Sequence, residues 1–329
     1  MAELSDTLFA SSTQRGGPDG NSSAPLLLAI VGPTAAGKSD LAVEIAARHD
    51  AEIVSVDSRQ IYRRLDIGTA KASHAMRAAV PHHLIDIIEP DEDYDAARFA
   101  ADARKTIDEI VARGRRAILC GGSGLYLQAL TEGLAPLPKP DPKLRAALRE
   151  QLATSGPDAL RAELETVDPA AAERIAAADH MRLLRALEVY RQTGRSLSQW
   201  QDEHRFRDRP WELAVVDVCP PADLLAERIA QRAARMWEEG LLDETRAVLA
   251  AGFDGSLPAL QAIGYREAQA HLRGEITSQA AIEAIALASR RYAKRQRTWF
   301  RRYPAALRVE EGRWTADLAE ALRPVLNDR

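Results

Sequence analysis

The sequence predicts an α/β fold, a mostly parallel sheet flanked by helices, with an all-helical domain inserted. Apolar runs typical of strands alternate with helical segments through residues 26–120. This alternation is typical of parallel sheets that carry helices on both faces. A long stretch rich in Ala, Arg, Glu and Leu then has no strand pattern, and a strand pattern returns after it. The 329 residues suffice for two domains, or for one domain with a large insertion.

The N-terminal residues 1–24 predict a disordered tail, because residues 10–24 are small, polar and glycine-rich. Glu3 and Asp6 and the lack of a long apolar run argue against a signal peptide. No stretch approaches the roughly 18 apolar residues of a membrane span, so no membrane partner is expected. Cys120 and Cys219 each end an apolar run and fit small buried residues of a reduced, cytoplasmic protein.

The predicted elements follow in order along the chain. Strands at 26–31, 51–56, 83–87 and 117–120 alternate with helices at 39–48, 72–79 and 95–113, and a fifth strand covers 212–218. Four prolines between 136 and 142 precede the strand-free stretch. We therefore predict a catalytic core formed by 25–140 and 206–329, with basic C-terminal helices, and a helical insertion at 141–205. No internal repeat is visible.

The run Gly32-Pro33-Thr34-Ala35-Ala36-Gly37-Lys38-Ser39 fits the phosphate-loop pattern of ATP-binding and other nucleotide-binding proteins. It lies between a strand and a helix, where that pattern requires it, so a phosphate-loop NTPase-like core is expected. Backbone N–H groups would surround an anion, with the helix N-terminus adding partial positive charge. Lys38 would reach the outer phosphate and Ser39 would hold Mg²⁺.

Two further segments directly follow predicted strands. At the end of its strand, Asp57 could hold Mg²⁺ or act as a general base. It could equally cap a turn, and its position alone does not distinguish these roles. The turn Gly121-Gly122-Ser123-Gly124 could let backbone approach a ligand, although many α/β turns have this composition. Because carboxyl ends of parallel strands share one edge, both should lie near the phosphate loop.

Arginine patterns supply two further signals. Arg228 and Arg232 share a helix face and could clamp an anion, although spacing alone favours a solvated pair. The predicted C-terminal helix at 289–303 holds seven basic residues and no acidic one: Arg290, Arg291, Lys294, Arg295, Arg297, Arg301 and Arg302. Tyr292, Trp299 and Tyr303 mark another face, expected to pack on the core. In a chain of net charge −4, this local asymmetry points to a polyanion such as RNA.

Nine segments together resemble the tRNA isopentenyltransferase family, which includes the bacterial tRNA dimethylallyltransferases. The first five are Gly-Pro-Thr-Ala-Ala-Gly-Lys-Ser at 32–39, Ser-Val-Asp-Ser-Arg-Gln-Ile-Tyr at 55–62, Asp-Ile-Gly-Thr-Ala-Lys at 66–71, Pro-His-His-Leu-Ile-Asp at 81–86 and Gly-Gly-Ser-Gly-Leu-Tyr at 121–126. The others are Val-Asp-Pro at 167–169, Arg-Ala-Leu-Glu-Val at 185–189, Ile-Gly-Tyr-Arg at 263–266 and Ala-Lys-Arg-Gln-Arg-Thr-Trp at 293–299. They keep the family's order across 25–303.

The resemblance implies a reaction. Dimethylallyl diphosphate gives its allyl group to N6 of the adenosine 3′-adjacent to the anticodon, in tRNAs reading codons that begin with U, and diphosphate leaves. Asp57 matches the family's base, and Thr34, Lys38 and Arg232 match its catalytic diphosphate contacts. The loop from Gly32 to Ser39 would cradle the diphosphate, and Ser39 would position Mg²⁺.

The resemblance also implies tRNA contacts, carried over by position: Asp57, Ser58, Arg59, Gln60, Ser123, Met181, Arg182, Leu183, Leu184, Arg185, Gln261, Ala262, Ile263, Gly264, Tyr265 and Arg266. The insertion would grip the anticodon stem-loop. A monomer is expected, without the zinc module of eukaryotic relatives. Ser123 stands where many members have Thr, and Met181 where some have Gln.

Three alternatives remain at this point. A small-molecule kinase is favoured by the phosphate loop alone, but it would leave the basic C-terminal helix without a role. An isopentenyltransferase acting on free AMP, ADP or ATP would not need an RNA-sized basic surface. A non-catalytic RNA-binding module would leave the phosphate loop and Asp57 unexplained.

Overall fold

The computed structural model describes residues 26–204, 210–303 and 306–327, so the tail predicted over 1–24 lies outside the described residues. The chain forms two compact units. Of the described residues, one unit contains 26–131, 210–303 and 306–327, and the other contains 132–204.

A six-stranded parallel sheet forms the centre of the first unit, as expected from the alternating pattern. Its strand order is β3-β2-β4-β1-β5-β6. The strands are β1 Leu26–Val31, β2 Ala51–Ser55, β3 His82–His83, β4 Arg116–Cys120, β5 Glu212–Val218 and β6 Leu307–Val309. In register, Leu28 of β1 pairs with Ile118 of β4 and Ala214 of β5. The phosphate loop therefore leaves an inner strand, where both neighbours fix its start.

The strand predicted at 83–87 is much shorter in the structure. Leu84 and Asp86 have φ of 59° and 58°, a left-handed backbone that cannot continue a strand. β6 was not predicted, since three residues near the end of the chain give too little alternation to recognise.

Thirteen helices are present among the described residues. They are α1 Lys38–Arg48, α2 His74–Ala79, α3 Ala96–Ala112, α4 Gly124–Glu132, α5 Pro142–Val167, α6 Pro169–Arg174, α7 His180–Thr193, α8 Leu197–His204, α9 Ala222–Glu238, α10 Leu241–Ala250, α11 Tyr265–Leu272, α12 Ser278–Phe300 and α13 Ala316–Asn327. The basic helix α12 is longer than the predicted 289–303 at its start and ends at Phe300. No helix of the described part of the chain is long and apolar enough to cross a membrane.

Two apolar clusters of the first unit's described residues lie beside the loops that follow the strands. One joins the sheet to α1 and α13, with Ile30, Ile45 and Leu322 fully buried. The other lies among α9–α12, with Ile229 and Tyr265 in its interior. Burial of each large apolar side chain contributes roughly 1.5–3 kcal/mol. The first cluster supports the strands, and the second supports the α9–α12 helices together with Ile61, Tyr62 and Leu65 of the segment after β2.

The second unit consists of α5–α8 and the segment before them. α5 kinks at Gly156, where φ is 77°, just before Pro157. The buried Glu188 carboxylate accepts hydrogen bonds from Arg145 and Arg185, both at 2.8 Å. These bonds hold the pKa of Glu188 below its usual value, although burial alone would raise it.

This unit begins at Glu132, whereas we predicted the insertion from 141. The proline-containing segment is bonded to α7: Arg185 donates to the Pro138 carbonyl at 2.7 Å, and the Asp141 N–H donates to Glu188 at 3.1 Å. The segment therefore packs with the helical unit.

Candidate active site

The phosphate loop adopts a conformation that requires its glycines. Gly32 has φ 136°, and a Cβ there would lie 2.3 Å from the Val218 carbonyl oxygen. Gly37, with φ 94°, occupies the N-cap position of α1 and has no side chain to cap it. The N–H groups of the first turn therefore remain available to an anion.

Lys38 is half-buried and folds back over its own loop. Its Nζ donates to the Pro33 carbonyl at 2.6 Å. Burial lowers the pKa of Lys38 to about 8, with Arg232 lowering it further and Cys120, Asp57 and Asp217 opposing the shift. A bound polyanion would favour the charged ammonium.

A cavity of about 420 Å³ lies where the sequence predicted a meeting of strand ends. The phosphate loop, the segment after β2 and the turn after β4 all line it, together with α9 and α12. Its polar lining residues include Thr34, Lys38, Ser39, Asp57, Ser58, Arg59, Gln60, Arg232, Gln261, Arg266, Ser289, Tyr292, Arg295 and Gln296. Each of the four predicted catalytic residues therefore faces the same space.

Asp57 caps a turn, which is one of the roles that the sequence left open, and it also faces the cavity. Its Oδ1 accepts from the N–H groups of Arg59 at 2.8 Å and Gln60 at 3.3 Å, which caps the turn after β2. Its Oδ2 has no hydrogen-bond partner among the described residues. Its negative charge raises the pKa of both Lys38 and Arg232 against the effect of burial. The turn thus fixes one oxygen and leaves the other able to take a proton.

Arg232 is held in the cavity and is not one of a solvated pair. Its Nη1 donates to Thr34 Oγ1 at 3.3 Å. Burial lowers the pKa of this guanidinium, yet arginine remains charged under ordinary conditions. Arg228, four residues earlier, lines a second cavity of about 850 Å³ that shares Lys38, Ser39 and Arg232 with the first. That second cavity also contains the cations Lys71, Arg77, Arg235 and Arg313.

The turn after β4 joins the turn after β2 through hydroxyl groups. The Ser58 N–H donates to Ser123 Oγ at 3.0 Å, and the two hydroxyls lie 3.4 Å apart. Ser123 is also hydrogen-bonded to Tyr292 of α12. Burial raises the pKa of Tyr292 to about 12, so this phenol stays protonated. Ser123 therefore positions the Asp57 turn from a neighbouring strand end.

The segment 261–266 contributes both lining and support. Gln261, Ala262, Ile263 and Arg266 line the cavity. Gly264 directly precedes α11, and its N–H donates to Glu267 at 2.8 Å. The side chain of Tyr265 is fully buried and donates to Glu244 Oε1 at 2.6 Å, so the structure gives this side chain a packing role.

The predicted contacts from Met181 to Arg185 belong to the second unit, on α7. Met181 is 67% exposed and Arg182 is also exposed, whereas Leu183 and Leu184 are buried in that unit's core. Arg185 is bonded to Glu188 and to Pro138. Met181 and Arg182 are therefore the members of this set whose side chains face solvent.

Helix α12 and the three residues after it carry an exposed basic surface, called here the basic surface of α12, and the helix also holds a buried polar residue. Arg290, Arg291, Lys294, Arg295, Arg301 and Arg302 are exposed, while Tyr292, Arg297, Trp299 and Tyr303 are half-buried. Gln296 is only 5% exposed, between the buried Ala293 and Phe300. Our sequence interpretation missed Ser289, Tyr292, Arg295 and Gln296 as cavity residues. The helical spacing of Gln296 from Ala293 and Phe300 was the available signal.

No group of three or more His, Cys, Asp or Glu suited to a metal occurs in 26–204, 210–303 or 306–327. A magnesium ion carried by phosphate oxygens needs only one or two protein oxygens, since it keeps several waters. Ser39 is exposed at the start of α1 and lines both cavities. Its hydroxyl fits that kind of ligand set.

A sequence model of the IPP transferase family matches residues 60–303. Among similar curated sequences, the tRNA dimethylallyltransferase of Geobacter sulfurreducens is 46% identical over 284 residues, covering 86% of this chain and 91% of that protein. The tRNA dimethylallyltransferase of Anaeromyxobacter dehalogenans is 50% identical over 276 residues, covering 84% and 90% respectively.

Solved structures that resemble this chain belong to transferases of the same kind. The full-length tRNA isopentenylpyrophosphate transferase of Bacillus halodurans is 36% identical with a TM-score of 0.65, covering 92% of this chain and 95% of that one. A eukaryotic dimethylallyltransferase, solved while acting on tRNA, is 25% identical with a TM-score of 0.76, covering 92% and 79%.

Proposed function

The chain belongs to the IPP transferase family, and from that premise we propose that it is a tRNA dimethylallyltransferase. It transfers the dimethylallyl group of dimethylallyl diphosphate to N6 of the adenosine 3′-adjacent to the anticodon, in tRNAs reading codons that begin with U. The products are N6-isopentenyladenosine and diphosphate. The observation that carries the proposal is that Asp57, the phosphate loop and Arg232 face one cavity.

The reaction forms a bond from adenine N6 to the allyl carbon and breaks the bond from that carbon to the diphosphate oxygen. The adenine amino group is a weak nucleophile because its lone pair is delocalised into the ring. Asp57 Oδ2 takes the N6 proton as the new bond forms, while its Oδ1 stays fixed by the turn. A positioned base of this kind contributes about 10²- to 10⁴-fold to a rate.

The diphosphate gains negative charge as it leaves, and the site offers positive charge to meet it. Lys38, Arg232 and the N-terminus of α1 converge on the phosphate loop. The Thr34 hydroxyl, which accepts from Arg232, can donate its own proton to a phosphate oxygen. Donors arranged in advance around a developing charge are the strongest kind of catalytic electrostatics.

We assign Mg²⁺ to the diphosphate, with Ser39 as its protein ligand. Bound there, the ion would neutralise charge on the leaving group. The orientation of the diphosphate is set by the loop backbone and by Lys38, both of which belong to the protein.

The tRNA partner accounts for the basic surface of α12. The target base must leave the RNA stack to reach an enclosed cavity. Exposed cations of α12 contact the phosphate backbone, and Met181 and Arg182 of the helical unit contact the anticodon stem-loop. We further propose a cytoplasmic monomer.

A prenyltransferase of free adenine nucleotides and a small-molecule kinase are the alternatives. Neither requires six exposed cations in one short segment, four of them on α12 and two directly after it, namely Arg290, Arg291, Lys294, Arg295, Arg301 and Arg302. The similar sequences from Geobacter sulfurreducens and Anaeromyxobacter dehalogenans are both named tRNA dimethylallyltransferase.

Incubation with radiolabelled dimethylallyl diphosphate and either unmodified tRNA or AMP tests the proposal. We expect label in tRNA, and a loss of about 10²- to 10⁴-fold in Asp57→Asn. Asparagine keeps the turn acceptor but cannot take the proton. The matched control is Asp243→Asn, at an exposed carboxylate paired with Arg246, which should retain full activity. Label in AMP and none in tRNA would overturn the proposal.

A further inference from the structure

Gln296 is a buried polar side chain in the middle of the basic helix. It is 5% exposed, and a buried amide without partners costs free energy because it gives up its hydrogen bonds to water. Both ends of this amide have partners, and neither partner belongs to α12. The residue therefore connects the helix to other parts of the site.

The carbonyl end of Gln296 holds the phosphate loop. The Thr34 N–H donates to Gln296 Oε1 at 2.8 Å. On its other side Thr34 is held by Arg232, which donates to its hydroxyl oxygen. Because its N–H is already occupied, Thr34 reaches a diphosphate through its hydroxyl alone. The bond to Gln296 thus fixes the backbone of Thr34, which carries this hydroxyl.

The amide nitrogen of Gln296 holds the turn after β4. Nε2 donates to the Gly122 carbonyl at 3.0 Å. Thr34 N is only a donor and Gly122 O only an acceptor, so a single orientation of the amide satisfies both. Gly122 also provides the space, because a Cβ there would lie 2.1 Å from Gln296 Nε2. The side chain is therefore fixed in position and in direction.

We propose that Gln296 is a positioning residue that sets the phosphate loop for donor binding, acting through Thr34. The inference rests on the proposed function, because its main readout is dimethylallyl transfer. Gln296 bonds backbone groups of the loop and of the neighbouring turn, whereas Arg290, Lys294 and Arg301 are exposed and do not line the cavity. Its removal should therefore affect the donor and spare tRNA binding.

The first test replaces Gln296 with methionine, which keeps the length and loses both hydrogen bonds. We expect kcat/KM for dimethylallyl diphosphate to fall about 10- to 100-fold, the size expected for buried hydrogen-bond partners left unsatisfied. The dissociation constant for tRNA should stay within twofold. Gln279→Met is the matched control, since Gln279 is an exposed glutamine of the same helix bonded to Glu283. An unchanged donor KM in Gln296→Met, with kcat also unchanged, overturns the inference.

A second variant separates positioning from bulk packing. In Gln296→Glu, the protonated carboxyl can accept from Thr34 and donate to Gly122, whereas the ionised carboxylate cannot donate. The activity of this variant relative to wild type should rise as the pH falls. A ratio that stays constant with pH overturns the inference. This pH dependence is measured on the Gln296→Glu variant alone. It therefore tests the inference even if the Gln296→Met variant does not fold.

Binding of inorganic diphosphate, measured calorimetrically with Mg²⁺ present, separates the two proposals. Weaker binding in Gln296→Met than in Gln279→Met supports the role of Gln296 even if wild type transfers nothing to tRNA. Transfer by wild type with equal diphosphate affinity in both variants leaves the proposed function standing and overturns this inference.

Discussion

Gly68 lies against the ring of Tyr265 so closely that a Cβ on residue 68 would be 2.4 Å from ring carbons Cε2 and Cζ. The Tyr265 hydroxyl donates to Glu244 Oε1 at 2.6 Å. The same carboxylate accepts the N–H groups of Asp66, Ile67 and Gly68. One buried tyrosine and one carboxylate thereby attach the turn at 66–68 to α10 and α11. Residues 68–70 line the cavity, so this attachment shapes one of its walls.

Gly68→Ala should therefore destabilise the protein, because the buried ring of Tyr265 has no room to move. Overpacking of this kind costs about 1–3 kcal/mol in unfolding free energy, measurable by urea denaturation. In a double-mutant cycle, Tyr265→Leu should relieve part of the added cost, because leucine frees the space of the ring. Additive effects of the two substitutions would contradict the steric account.

Donor capture should depend on the ionisation of Lys38. Its pKa of about 8 in the free protein means that the ammonium is charged below that pH and neutral above it. We expect kcat/KM for the donor to fall as the pH rises through about 8. The value of kcat should stay constant up to a higher pH, because a bound diphosphate favours the charged form of Lys38.

Lys38→Arg supplies the control for this titration, since a guanidinium stays charged across the range. Its absolute activity should be lower, because the longer planar group fits the loop differently. Its kcat/KM should nevertheless lack the alkaline fall. The same fall in Lys38→Arg would assign the titration to another group.

The parts of the site that follow strands could be predicted from local sequence. The phosphate loop, Asp57 and Ser123 each come directly after a strand, and parallel strands bring their carboxyl ends together. Arg232 was a weaker prediction, because helix spacing alone did not distinguish a clamp from a solvated pair. The family resemblance selected it, and its bond to Thr34 supports the selection.

Gln296 could not be predicted in the same way. It lies among basic residues, and its partner Thr34 is 262 positions away. Burial of a polar residue depends on such distant partners, which hydrophobic periodicity does not reveal. Tyr265 differs in the opposite direction. The resemblance implied a tRNA contact for it, whereas its side chain is buried in the protein interior. The short β3 likewise depends on left-handed backbone at Leu84 and Asp86.

Acid stability should depend on Glu52, a buried carboxylate at the start of β2. It accepts from His83 Nε2 at 2.6 Å, Arg113 at 2.7 Å and Arg115 at 3.2 Å. Burial alone would raise its pKa, but these hydrogen bonds hold the pKa of Glu52 below its usual value. The ionised Glu52 therefore stabilises the folded protein fully above the unfolded-state pKa of about 4.3. This stabilisation is lost as the pH falls through the lower pKa that Glu52 has in the folded protein.

We expect Glu52→Gln to lower the unfolding free energy by about 1–3 kcal/mol at pH 7, because hydrogen bonds to a charged group are lost. The difference from wild type should shrink below about pH 4, where wild type also begins to lose the charge. Glu109→Gln is the control, since its pair with Lys105 is exposed and 3.9 Å long. Equal losses in both variants at pH 7 would contradict the prediction.

The basic surface of α12 should bind tRNA mainly through phosphate charge. None of the ion pairs among the described residues involves Arg290, Lys294 or Arg301, all of which are exposed. Replacing these three by glutamine should weaken tRNA binding at low salt. The slope of log K against log salt should become shallower, by about 0.7–0.9 for each phosphate that the variant no longer neutralises. The measurement is tRNA affinity across a salt series without donor.

A control that removes the same charge comes from Lys105, Arg246 and Arg273, which are exposed but already paired with carboxylates. Their replacement by glutamine lowers the net charge equally and should leave the salt slope near that of wild type. The comparison separates a local contact from a general effect of net charge, because long-range attraction is screened within about 10 Å at 0.1 M salt. Equal slopes in the two triple variants would show that α12 has no special role, and the tRNA contact would then have to lie on another surface.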